Sequence, residues 1–139
     1  MNIPSYALDA FKRGLFDPLT EKEAALLELF KDRQDKFYII AGAAGDTTVR
    51  DHEVAHGLYY VSPDYRAKVD EALANLPTQI KEEFRHKLLS LGYADAVIDD
   101  EMQAYLSCGK ASVKERPGVD VPEEICKLFV SLREKAEGK

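Results

Sequence analysis

Apolar residues recur along most of this chain at helical spacing, and the breaks between the runs carry turn and capping residues. From Thr20, with Glu23 three positions on as its partner in a capping box, Leu26, Leu27, Leu29 and Phe30 predict a helix to about Lys36. The pattern then changes. Phe37, Tyr38, Ile39, Ile40 and Ala41 form a short aromatic and β-branched run that Gly42 and Gly45 stop, which predicts a buried strand and is the one convincing strand signal. Asp46, Thr47 and Thr48 offer caps for a helix through Val49, His52, His56 and Tyr60, and Ser62-Pro63 closes that helix and starts the next. Helices follow over about 63–74 and 78–91, with Gly92 as the C-cap of the second, and Asp95 is placed to cap another running to about Leu106. A charged loop is expected from Gly109 to Pro117-Gly118. After Pro122 a last amphipathic helix aligns Ile125, Leu128, Phe129 and Leu132 on one face. The predicted class is α+β, mostly helical with a small sheet. A chain of 139 residues with no repeat and no linker tract predicts one domain, 1–139.

Charge narrows the partners. Nineteen Lys and Arg against 25 Asp and Glu give a net charge of −6, which repels phosphate backbones and anionic lipid surfaces, so neither nucleic acid nor membrane is expected as a partner. The first residues, Met1 to Tyr6, lack a basic stretch followed by an apolar core, and no later run approaches the length of a membrane span. A cytoplasmic location is expected, and with it reduced thiols at Cys108 and Cys126.

The chemistry concentrates in His52-Glu53-Val54-Ala55-His56. Two histidines four apart on a helix lie one turn from each other, about 6 Å along the axis, so both rings can converge on one ion. Glu53 is rotated about 100° from His52, which places its carboxylate beside such an ion rather than on it, where a general base belongs. Over about 49–58 the sequence resembles the zincin metallopeptidases. The resemblance implies a zincin-like domain with a helix-borne Zn²⁺ site and a peptide or protein substrate. Tyr59 and Ser62 stand where the metzincin branch needs a glycine and a third histidine, which excludes that branch. Arg50 and Asp51 are charges that zincins seldom carry just ahead of the first histidine.

A catalytic zinc requires a third protein ligand. The remaining histidine, His86, sits in a strongly charged helix surface and reads as an ordinary surface residue. Asp99-Asp100-Glu101 offers carboxylates instead. Glu101 shares the apolar, inward face of its helix with Val97, Ile98, Ala104 and Tyr105, whereas Asp99 lines up with Asp95 and Gln103 on the polar side and Asp100 falls between the faces. Glu101 is therefore the expected third ligand beside His52 and His56. With Ala104 it also resembles the E-x-x-A helix that completes the site in compact gluzincins and in small antirepressor-type proteases of mobile elements. Tyr60, one turn beyond His56, is the expected hydroxyl donor to a developing oxyanion, ahead of Tyr59, Tyr65 and Tyr105. The function expected from these residues is zinc-dependent hydrolysis, with peptides as the substrate class. The competing expectation is a non-catalytic zincin-like domain that binds or regulates a partner and retains zinc for structure or holds none; Glu53 and an open fourth coordination position separate the two, because a structural site would be closed by a fourth ligand.

Overall fold

The metal-motif helix owes its start to one side chain: Asp46 accepts a hydrogen bond from the Val49 N–H at 3.0 Å, satisfying an amide that the first helical turn leaves without a partner. That helix, α3 (Thr47–Val61), lies at the centre of a computed structural model that describes residues 2–139, apart from the side chain of Thr48. Before it come β1 (Asn2–Pro4), a 3-10 turn (Ser5–Leu8), α1 (Asp9–Lys12), α2 (Glu21–Leu29) and β2 (Tyr38–Ile40). After it come α4 (Pro63–Ala74), α5 (Thr78–Ser90), a 3-10 turn (Asp95–Val97), α6 (Ile98–Leu106), α7 (Lys110–Glu115) and α8 (Glu123–Glu137). The class is α+β, mostly helical, with a two-stranded antiparallel sheet in which Asn2 pairs with Ile40 and Pro4 with Tyr38.

Local signals account for several of these boundaries. Thr20 and Glu23 form the reciprocal capping box at the start of α2. Ser62 caps α4 through the Tyr65 N–H, with Pro63 at the first helical position, where a missing N–H costs nothing. Gly92 adopts φ +95° after α5, and the N–H groups of Gly92 and Tyr93 return to the carbonyls of Leu89 and Leu88. This is a Schellman closure, which a residue with a Cβ would strain.

Four expectations require correction. Helix α2 stops at Leu29 rather than near Lys36, because the Phe30 ring turns back to stack on Phe37 with centroids 5.0 Å apart. The strand at Tyr38–Ile40 is only half-covered, with Phe37 buried ahead of it and Ile40 exposed, and its partner strand β1 carried no recognisable pattern. Asp95 caps nothing; its carboxylate pairs with Arg85. The expected charged loop contains α7, which Val113 anchors in the core.

The core lies where α3, α4, α5, α6 and α8 meet, around Tyr65, Phe84, Leu88, Met102 and Phe129, all at most 1% exposed. Burying each such side chain stabilises the fold by about 1.5–3 kcal/mol. Helix α6 is surrounded: Ile98 and every residue from Met102 to Leu106 are buried. Gln103, expected on a polar face, is among them. On the other side of α3, β2 approaches closely at Gly57, where a Cβ would stand 3.2 Å from the Tyr38 ring. These contacts hold α3 between the sheet and α6, so that its histidines face the first turn of α6. Among the described residues no helix is long and apolar enough to cross a membrane, and no disulfide joins Cys108 to Cys126.

Candidate metal centre

Two successive turns of α3 and the start of α6 bring His52, His56 and Glu101 together, with one ligand atom of each within 4.8 Å of the others. The Nε2 atoms of His52 and His56 are 3.1 Å apart. Glu101 Oε2 lies 3.5 Å from His52 Nε2, and Oε1 lies 3.6 Å from His56 Nε2. Donors placed tetrahedrally about 2.0–2.1 Å from a common centre stand about 3.3–3.4 Å apart, so the observed edges match a small ion to within a few tenths of an ångström.

The cluster buries a carboxylate oxygen against two imidazoles, an arrangement that could hold a cation. Glu101 Oε2 is buried, and no hydrogen-bond partner for it exists among the described residues, since His52 Nε2 at 3.5 Å is beyond bonding geometry. Such an orphaned carboxylate oxygen is costly to bury. Burial pushes the Glu101 carboxyl up, but the two histidines outweigh it and hold the group down at about 2. Burial likewise pushes His56 down, and the facing carboxylates of Asp100 and Glu101 overcome it, raising the imidazole to about 10. Without a metal the charge is supplied by a proton on His56. A divalent ion would compete with that proton for the same nitrogen.

Asp100 is the residue the sequence pattern left without a role. Its Oδ1 lies 2.8 Å from His56 Nδ1 and also accepts from Gln103 Nε2 at 3.0 Å. Gln103 in turn accepts from the Tyr65 hydroxyl at 2.9 Å. A carboxylate on Nδ1 keeps the proton there and leaves Nε2 directed at the cluster, the arrangement that fixes ligand histidines in metal sites. The only sequence hint was the position of Asp100, adjacent to Glu101 and oblique to the apolar face.

The cluster opens into a cavity of about 430 Å³. Glu53 lines it without joining the three ligand atoms, and its carboxylate accepts a hydrogen bond from the Asn2 side-chain amide of β1. Tyr105 and Tyr93 also line it, their hydroxyls 3.1 Å apart, and the Tyr105 ring meets His52 edge-on at 4.7 Å. Burial pushes the Tyr105 phenol well up, Tyr93 adds to this, and the charge of Arg116 opposes it. Tyr60 is not among the lining residues. Its hydroxyl lies 3.2 Å from Ser5 Oγ and its ring carries the Lys36 ammonium 4.0 Å above the centroid, in a neighbouring cavity that His56 and Glu101 also border. Tyr59 donates to Asp70 at 2.5 Å, and His86 is exposed on α5, as expected of a surface residue.

No protein-family model, no curated protein and no solved structure matches this chain.

The two charges that set the motif apart have a structural task. Arg50 pairs with Asp51 and with Glu137 of α8, while Asp51 pairs at 3.2 Å with Arg133, which is 4% exposed and also bonds to Glu137 and to the Ser107 carbonyl. This network ties the metal-motif helix to α8 and to the end of α6.

Proposed function

We propose that the protein is a zinc-dependent hydrolase whose substrates are peptides or proteins. The observation that carries this reading is the Glu101 carboxylate, its Oε2 buried and unpartnered, facing two imidazole nitrogens, with a further carboxylate, Glu53, beside the group but outside it. Two nitrogens and one carboxylate oxygen are one of the donor sets of catalytic zinc sites, in which a fourth position stays open to water or substrate. Bound there, zinc would supply Lewis-acid chemistry, polarising a carbonyl and acidifying water.

The remaining steps belong to the chain. Glu53 takes a proton from the attacking water and returns it to the leaving amine as the C–N bond breaks. For this it has to exchange its hydrogen bond with Asn2 for one to water. The Tyr93–Tyr105 hydroxyl pair supports the reading as a source of a hydrogen bond to the carbonyl oxygen as negative charge develops on it. Asp100 holds His56 in its tautomer throughout. The zincin-like resemblance and the peptide substrate rest on the motif and on the glutamate in α6.

The test combines metal analysis with one substitution. Purified protein should hold about one Zn²⁺ per chain, and Glu53→Gln should keep the zinc while peptide hydrolysis falls about 10²- to 10⁴-fold. Equal cleavage by native and Glu53→Gln proteins would sink the role of Glu53 as the general base.

A further inference from the structure

The cavity holds a charge that this chemistry leaves unused. Arg116, at the C-terminus of α7, lines the same cavity as His52, Glu53, His56 and Glu101, and is the one Lys or Arg among the described residues that do so. The backbone around it is fixed. Its N–H bonds to the Ser112 carbonyl, the N–H groups of Gly118 and Val119 both return to the Val113 carbonyl, and Val113, Pro117 and Val119 are buried. Arg50, Arg66, Arg85 and Arg133 are each paired with a carboxylate, whereas no described carboxylate lies within ion-pair distance of Arg116.

An exposed guanidinium without a partner is unremarkable on an open surface. Here it stands at a cleft whose other fixed charges, Glu53, Glu101 and Glu115, are negative, on a chain of net charge −6. With a cation held at His52, His56 and Glu101, the reacting group is fixed there, and away from it Arg116 is the one cationic side chain among the described lining residues that a second, anionic group can meet, so position and charge are selected together. The planar fork of arginine matches the two oxygens of a carboxylate, which a lysine ammonium would meet only as a point charge.

We propose that Arg116 is a specificity-determining residue of this cleft and selects substrates with a carboxylate near the bond to be cleaved, on an acidic side chain or at a free C-terminus. The inference rests on the zinc-hydrolase reading for the reacting group, but its test does not depend on turnover.

The zinc-loaded Glu53→Gln protein is titrated with two hydroxamates that differ only in a pendant carboxylate or its neutral methylamide, with binding followed by calorimetry. The carboxylate probe should bind about three- to tenfold tighter, with the advantage shrinking at high salt. Adding Arg116→Gln should erase the difference, and Arg116→Lys should restore part of it. Two further hydroxamates identify the source of the carboxylate, one with an acidic side chain and an amidated terminus, the other with a neutral side chain and a free terminus. Equal binding of the first two probes, or a preference that survives Arg116→Gln, overturns the inference and leaves the hydrolase reading standing. A chain that takes up no zinc overturns both. Native and Glu53→Gln proteins that cleave peptides equally, with the carboxylate preference intact, overturn only the role of Glu53 as general base and leave the inference standing.

Discussion

His56 Nδ1 and Asp100 Oδ1 lie 2.8 Å apart, and this contact decides which nitrogen of the ring faces Glu101. Asp100 accepts only, so the Nδ1 proton is held and Nε2, facing the cluster, is the nitrogen that gives up its proton to a metal. Asp100→Asn keeps the size and the polar contact with Gln103 but can donate to Nδ1 and stabilise the opposite tautomer. Zinc affinity should fall about 10- to 100-fold, read by competition with a chelating dye, and the metal-free protein should lose stability near neutral pH as well, because Asp100 also helps hold the His56 proton. An unchanged affinity would mean that Asp100 is only a surface partner of the ring.

The legible parts of this fold were those whose cause lies within a few residues. Thr20 with Glu23, Asp46 before α3, Ser62-Pro63 and Gly92 each act on their own backbone, and each is found where the pattern put it. The inward placement of Glu101 was legible for the same reason, because α6 is amphipathic across its first turn. What stayed hidden depends on distant partners. Asn2–Pro4 is three residues long and contains a proline, and becomes a strand only against Tyr38–Ile40. Helix α7 has a single buried anchor, Val113, in an otherwise charged segment. Gln103 reads as polar and therefore outward, yet Tyr65 and Asp100 satisfy it inside the core. Tyr93 reaches the cavity only because the chain turns back after α5.

Arg133 tests the tie between α8 and the metal-motif helix. Its side chain is 4% exposed and serves Asp51, Glu137 and the Ser107 carbonyl at once. Truncation leaves the Ser107 carbonyl without its guanidinium donor and removes a shared partner from both carboxylates. Arg133→Ala should cost about 3–5 kcal/mol in urea unfolding of the metal-free protein. Arg66→Ala, whose ion pair with Asp70 is exposed, should cost under about 1 kcal/mol. Similar losses for the two would deny the buried network its role.

Asn2 connects the small sheet to Glu53. Asn2→Ala removes the amide donor and one of the few contacts by which β1 is tied to α3. Hydrogen exchange at Ile3 and Ile39 should speed up by a factor consistent with losing about 0.5–1.5 kcal/mol, while amides in α6 keep their protection. Unchanged exchange at both sites would show that strand pairing alone holds β1 in place.

The last prediction concerns the competition between a proton and zinc at His56. In the metal-free protein the imidazole is raised from 6.5 to about 10 by Asp100 and Glu101 against the opposing effect of burial. Between these values the folded chain binds a proton that the unfolded chain has released, so its stability is greatest below pH 6.5 and falls as pH rises toward 10. Glu101 acts at the other end: held down at about 2 against an ordinary 4.5, its contribution is present above 4.5 and is lost as pH falls toward 2. Zinc on Nε2 replaces the proton, so the decline above pH 6.5 should vanish in the loaded protein. Uptake near neutral pH should release about one proton per chain, measurable by calorimetry in buffers of different ionisation enthalpy. Melting curves of both forms across the alkaline range provide the second readout. A flat metal-free profile, with no proton released on zinc addition, would show that His56 is already neutral and that no competition takes place at its nitrogen.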